Sequence, residues 1–169
     1  MDTLIENWIT RIADAARSGA SLTIRGGGSK DFYGGPERGE RLEVSEHRGV
    51  VAYEPTELVV TARAGTPLVE LAATLADKGQ WLAFEAPHFG PSATVGGMLA
   101  SGLSGPRRQA VGALRDFVLG VKMLSGSGEV LSFGGQVMKN VAGYDVPRLL
   151  AGSLGTLGVV LEASFKVLP

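Results

Sequence analysis

The sequence predicts an α+β fold of two lobes, a small βαβ-like lobe over about residues 1–84 and a mainly antiparallel sheet lobe with helices over about residues 85–169. Three observations carry that prediction. An amphipathic helix opens the chain, apolar runs of strand length with period-two alternation recur along it, and three glycine-rich loops separate the regular segments.

Thr3 and Glu6 stand at capping-box spacing, and Leu4, Ile5, Trp8, Ile9, Ile12 and Ala16 form an apolar stripe that Gly19 closes. Trp8 is therefore expected in the core. A strand over 21–25 leads into the first glycine loop, and Leu42 and Val44 alternate in a second strand over 41–45. Strands over 50–54 and 58–63 follow. Thr66 is expected to cap a helix with Pro67 at its first position, ending near Gly79 and burying Leu68, Leu71, Ala72 and Leu75. Trp81-Leu82-Ala83-Phe84 reads as a strand, 85–93 as a Pro/Gly loop and 94–101 as a short helix, placing the lobe boundary at 80–90. The apolar runs 117–124 and 129–133 are joined across Ser125-Gly126-Ser127-Gly128, a hairpin signature. A helix over 146–151 precedes the third glycine loop. Val159, Leu161, Ala163, Phe165 and Val167 then alternate with their neighbours in a closing strand.

Composition fits a compact soluble domain without accessory staples. At 169 residues and 44% hydrophobic content the chain is long enough to bury about 70% of its unfolded surface. A formal net charge of −1 with mixed signs argues against nucleic acid and against a polybasic membrane patch. Zero cysteines exclude disulfides, thiolate metal sites and cysteine nucleophiles, in keeping with a reducing cytoplasm. The acidic, amphipathic start and the want of any long apolar run predict neither an export signal nor a membrane span.

The loops point to one extended phosphorylated ligand, a dinucleotide. They are Arg25-Gly26-Gly27-Gly28-Ser29-Lys30, Pro91-Ser92-Ala93-Thr94-Val95-Gly96-Gly97 and Gly152-Ser153-Leu154-Gly155-Thr156-Leu157-Gly158. Glycine lets backbone approach a ligand closely, and successive N–H groups form an anion-binding concavity. The Rossmann fingerprint fails, because the position three beyond Gly28 is Asp31, and a P-loop fails because Lys30 lies between Ser29 and Asp31. A hydrolase elbow at Ala151-Gly152-Ser153-Leu154-Gly155 lacks a triad context around either His47 or His88.

Ile24 through Lys30, Ala93-Thr94-Val95-Gly96-Gly97-Met98, Arg115-Asp116-Phe117-Val118-Leu119-Gly120 and Gly155-Thr156-Leu157-Gly158-Val159-Val160 together resemble the FAD-binding domain of the vanillyl-alcohol oxidase/p-cresol methylhydroxylase (PCMH-type) family. Within it, Met138-Lys139-Asn140-Val141-Ala142-Gly143-Tyr144-Asp145-Val146 and the final Leu-Pro most resemble the FAD-binding E subunits of bacterial glycolate oxidases.

The resemblance implies FAD lying extended between two lobes, held without a covalent bond, since the first loop lacks the histidine and the segment 88–94 lacks the cysteine that covalent members use there. Ile24, Arg25, Gly26, Gly27, Gly28, Ser29 and Lys30 would cradle the pyrophosphate. His88, Gly90, Pro91, Ser92, Ala93 and Thr94 would run beside pyrophosphate and flavin, with Gly96, Gly97, Ser101, Gly102 and Ser104 completing the wall. Leu154, Gly155, Thr156, Gly158, Val159 and Val160 would serve the flavin or adenine side. Lys139, Asn140 and Tyr144 resemble positions near the flavin. Tyr144 reads equally well as a packed aromatic, and Arg115 with Asp116 as partners in a lobe-bridging ion pair. Arg107 and Arg108 read as solvated loop residues, and His47 as a surface residue.

The implied activity is that of an FAD-dependent oxidoreductase subunit acting on a small 2-hydroxy acid, glycolate to glyoxylate, with hydride passing to flavin N5 and electrons to FAD-containing and iron–sulfur partner subunits. Such a complex would be cytoplasmic or membrane-associated through its partners. The alternatives are a non-catalytic FAD-holding module for electron transfer or assembly and the cofactor domain of a related D-lactate dehydrogenase. The family's substrate-binding cap domain is not found in these residues, so the chain is expected to be either a cofactor-domain fragment or a reduced subunit, and its catalytic residues are unknown. No metal site is expected.

Overall fold

In the computed structural model, which describes residues 3–135 and 143–169, helix α1 (Thr3–Ser18) turns Ile5, Trp8 and Ile12 inward as its stripe dictates. Strand β1 (Leu22–Arg25) pairs in parallel with β2 (Glu40–Glu43), Ile24 opposite Leu42. The parallel pair of the βαβ-like outline is thus present, but its crossover is the glycine-rich segment 26–39, and the helix precedes both strands.

Next come β3 (Val50–Glu54) and β4 (Val59–Arg63), separated by a 3-10 turn at Pro55–Glu57. Helix α2 (Leu68–Ala76) buries Leu68, Leu71 and Leu75, and α3 (Val95–Ser101) starts at Thr94, whose hydroxyl accepts from Gly97 N at 3.2 Å. One-turn helices α4 (Arg108–Val111) and α5 (Leu114–Phe117) precede the hairpin of β5 (Val118–Leu124) and β6 (Val130–Gly134). Helix α6 (Val146–Leu150), capped by Asp145, leads through the third glycine loop to β7 (Val159–Lys166).

The second sheet runs β3-β4-β7-β5-β6, antiparallel throughout. Strand β7 contributes to both apolar cores. Val160, Ala163 and Phe165 join the core built with α2, α3, Phe84 and Phe117. Val159 and Leu161 join the one under α1, with Trp8, Leu42 and Leu124.

Several sequence expectations are corrected by these tertiary contacts. Because β4 pairs with β7, β3 and β4 belong to the larger sheet while β1 and β2 form the small one, so the two sheets divide between Glu43 and Val50. Of the strand expected at 81–84, only Trp81 pairs, in an isolated bridge to Leu168, while Ala83 and Phe84 turn fully into the core. Thr66 does not cap α2, which starts from Pro67; its hydroxyl accepts from Gly49 N at 2.9 Å and donates to Gly49 O, pinning the turn before β3.

His47 is not a surface residue. It is 4% exposed, its ring edge-on to Trp8 with centroids 5.9 Å apart, because the turn after β2 tucks beneath α1. Tyr144 is 95% exposed and packs against no core. Asp116 ion-pairs with Arg148 at 3.9 Å and accepts from Ala113 N, so the charge partner lies on α6 and is not Arg115. Arg107 is exposed, as expected, and also lies over the Trp81 ring, 4.6 Å from its centroid. Among the described residues no helix is long and apolar enough to cross a membrane.

Candidate functional site

The first and third glycine loops meet at the end of β1, where they and α3 enclose a cleft of about 330 Å³. That volume lies in the range of small-molecule sites, roughly 300–1,000 Å³. Its floor is Ile24 to Lys30. One wall is Gly97, Ala100 and Ser101 of α3 with Thr94, and the other is Tyr33, Gly34, Gly35, Pro36 and Glu37; Leu154, Gly155 and Thr156 close the end.

Each wall is fixed by backbone contacts. Gly152 N and Leu154 N donate to Leu99 O and Ala100 O at 3.0 and 2.9 Å, hanging the third loop on the end of α3. Gly155, at φ +77°, rests on the Ile24 side chain, with an added Cβ only 3.3 Å from Ile24 Cδ1. The first loop packs on the second. A Cβ on Gly26 would stand 2.6 Å from Thr94 Oγ1, and one on Gly27 would overlap the Ser92 carbonyl. Gly28 occupies φ +70°, a left-handed conformation that favours glycine. At the far end of the loop, Thr23 Oγ1 donates to Arg38 O at 2.6 Å and returns the segment to the sheet.

Charge in the cleft is unevenly committed. Arg25 hydrogen-bonds Asp31 at 2.7 Å and also faces Glu43 at 3.6 Å and Glu37 at 3.8 Å. The Asp31 bond, aided by the field of the other two carboxylates, raises the Arg25 pKa above its ordinary value. Arg25 is thus a brace for the first loop and β2. Lys30 is different. Its Nζ is shielded from solvent, has no hydrogen-bond partner among the described residues, and stands 5.9 Å from the centroid of the Phe89 ring. Burial pushes its pKa below the ordinary lysine value. Phe89 packs edge-on against Phe32, centroids 5.1 Å apart, although both rings remain more than half exposed.

Of the residues singled out from sequence, the structure gathers Ile24, Arg25, Gly26, Gly27, Gly28, Ser29, Lys30, Thr94, Gly97, Ser101, Leu154, Gly155 and Thr156 into this lining. Others are used elsewhere. Ala93, Val159 and Val160 are buried in the cores, and Ser104 Oγ accepts from Leu114 N at 2.9 Å, fixing the start of α5. Gly96 is close-packed on Ala64, Gly102 on Gly152, and Gly158 on Leu124 O. Ser92 supports Gly27 from behind, while His88, Gly90 and Pro91 lie outside the lining. Lys139 and Asn140 fall outside the described residues.

The wall from Asp31 to Glu37 went unnoticed in the sequence, although Gly34-Gly35-Pro36 behind two aromatics is a turn signal. Beyond Ile24 and Gly155 lies a second, more apolar cavity of about 280 Å³, bounded by Ile12, Ala16, Leu42 and Leu157. The linings of the two cavities share Leu22, Ile24, Gly155 and Thr156. A glycine cradle beside an unpartnered buried amine suits a phosphate-bearing ligand. Among the described residues no group of His, Cys, Asp and Glu could hold a metal ion.

Comparison with known proteins agrees in kind. A family model described as an FAD binding domain matches residues 5–134. The chain is 54% identical over 161 residues to glycolate oxidase subunit GlcE of Escherichia coli (strain K12), covering 95% of this chain and 46% of that protein. It is 31% identical over 151 residues to glycolate oxidase subunit GlcD of Bacillus subtilis (strain 168), covering 88% and 32%. It is 32% identical over 132 residues to the mitochondrial cytochrome-type D-lactate dehydrogenase of Arabidopsis thaliana, covering 78% and 23%. The chain therefore spans less than half the length of each of these relatives.

Proposed function

The chain belongs to the FAD binding domain family, and from that premise we propose that it is the non-covalent FAD-holding part of a 2-hydroxy-acid dehydrogenase that oxidises glycolate to glyoxylate. The observation that carries this reading is the convergence of the first and third glycine loops with Thr94 on one cleft, in a chain that aligns over 95% of its length with a glycolate oxidase subunit. When bound, FAD supplies the acceptor for hydride from the substrate carbon. The protein's part is to hold and orient. Backbone of Gly26 to Ser29 would take the pyrophosphate, the hydroxyls of Thr94 and Ser101 would bound it on the α3 side, and Leu154 to Thr156 would cover the end of the cleft. Further subunits, one of them iron–sulfur, would receive the electrons and would set whether the assembly works in the cytoplasm or at a membrane surface.

The test is an absorption spectrum of the purified chain after loading with FAD and gel filtration, then denaturation. Retained flavin that is released on unfolding supports the reading, and a folded, colourless protein after loading overturns it. Substrate follows from reduction of the loaded chain by short 2-hydroxy acids, alone and with partner subunits. A D-lactate dehydrogenase relative favours lactate as the second reading; preferential reduction by D-lactate would establish it. Reduction by glycolate without other subunits would exclude a purely FAD-holding role.

A further inference from the structure

The cleft wall from Tyr33 to Glu37 is tied at its two ends and loose between them. At one end Asp31 accepts from Arg25 at 2.7 Å and Tyr33 N donates to Lys30 O at 2.9 Å. At the other, Thr23 Oγ1 holds both N and O of Arg38, and Glu37 accepts from Arg41 Nε at 2.7 Å. Between these ties Gly34, Gly35 and Pro36 make no hydrogen bond among the described residues, and every residue from 31 to 40 is exposed. Gly34 and Gly35 stand at φ +101° and +95°, a region that glycine visits at little cost. A short span with fixed ends and a glycine pair at its middle is built to pivot.

The span has a resting place on the opposite side. A Cβ on Gly34 would stand 3.3 Å from Leu154 Cδ1, so the Leu154 side chain reaches from the third loop across the end of the cleft to this wall. Leucine is an unusual residue there. Positive φ recurs at 152, 154, 155 and 158 of that loop; glycine occupies three of these positions, and Leu154 holds φ +52° with a bulky side chain. Its backbone is fixed by Leu154 N donating to Ala100 O at 2.9 Å and by Thr156 N donating to Ser153 O at 3.0 Å. Strain is kept where a glycine would remove it, and what the leucine adds is the contact with Gly34.

Resting on the reading of this cleft as the cofactor site, we propose that residues 33–36 are a lid over the cleft and Leu154 is its catch, so that lid opening sets the rate at which FAD enters and leaves. The catch is rigid and the lid moves. Leu154 stays 47% exposed even in contact with Gly34, so the catch is weak and the lid opens without unfolding either loop.

The chain has no cysteine, so a pair introduced by Gly34→Cys and Leu154→Cys can be joined selectively with a short, reducible bis-thiosulfonate linker. Linking the unliganded protein is expected to block FAD uptake, and linking after loading to prevent its release on gel filtration; dithiothreitol should reverse both. A side chain that merely touched the ligand would not produce this symmetry. Leu154→Ala, which removes the catch alone, is expected to release FAD about fivefold to tenfold faster than wild type, the factor that a half-buried leucine contact corresponds to, with uptake no slower. Its unliganded Tm should match wild type, because the side chain supports no core. The proposal is overturned if the linked protein takes up FAD as fast as the reduced one, if Leu154→Ala releases FAD as slowly as wild type, or if its Tm falls and uptake slows. If folded wild type takes up no FAD at all, the cofactor-site reading itself fails and the lid falls with it.

Discussion

Gly27 and Ser92 are packed backbone to backbone: the position of a Cβ on Gly27 is already filled by the Ser92 carbonyl. Glycine is thus required there to let the first loop lie on the second. Gly27→Ala must separate the two loops, and the expected result is loss of FAD retention together with a stability loss of about 1–3 kcal/mol, the usual range for overpacking. Flavin absorbance after gel filtration and Tm check it. Normal values of both would show that the loops separate without cost.

Thr94 has two tasks, capping α3 through Gly97 N and presenting its hydroxyl to the cleft beside Gly26. Thr94→Ala should cost about 1 kcal/mol in denaturant unfolding, as helix caps do, and Thr94→Ser should restore most of it. Equal stability of all three proteins would remove the cap from the account.

Phe84 is fully buried where Phe117 and Phe165 meet it, ring centroids 5.2 and 6.5 Å away. Phe84→Ala should lower unfolding free energy by about 3–5 kcal/mol through the cavity it leaves. Denaturant titration with an unchanged m-value is the check; a loss below 1 kcal/mol would mean that the site collapses.

Burial lowers the Lys30 pKa below 10.5, so over the interval up to that value the unfolded chain binds more protons than the folded one. Stability of the unliganded protein should therefore rise with pH through this interval, and FAD affinity should fall as the amine loses its charge. Comparison with Lys30→Met isolates the contribution of Lys30 from that of the rest of the protein. Parallel pH profiles for the two proteins would show that Lys30 does not titrate there.

What the sequence disclosed was whatever depends on near neighbours. The α1 stripe, the Thr94 cap, the hairpin at 125–128 and the closing strand all rest on signals within a few residues. Trp81 to Phe84 misled because an apolar run of four suits either a strand or a core-seeking turn, and the choice was made by Leu168, far along the chain. His47 was unreadable for a similar reason, since only the tertiary seat of Trp8 buries it. In the cleft, the glycine loops announced themselves. The facing wall from Asp31 to Glu37 did not, because its charges look like solvated loop until Arg25 is seen to gather them. That Lys30 Nζ has no hydrogen-bond partner among the described residues depends on three-dimensional neighbours and has no local sequence mark.

The place of β7 between β4 and β5 sets an order of events in time. Before residues 159–166 emerge during synthesis, β3 with β4 and β5 with β6 are two separate hairpins with no strand between them. Joining them requires closing a loop from Val60 to Phe165, an entropic cost met only when β7 is in place. The third glycine loop, held directly before β7, takes its place at the same step. The chain should thus reach its cofactor-competent form in the step that seats β7, visible as simultaneous protection of β4 and β5 amides in pulsed hydrogen exchange during refolding.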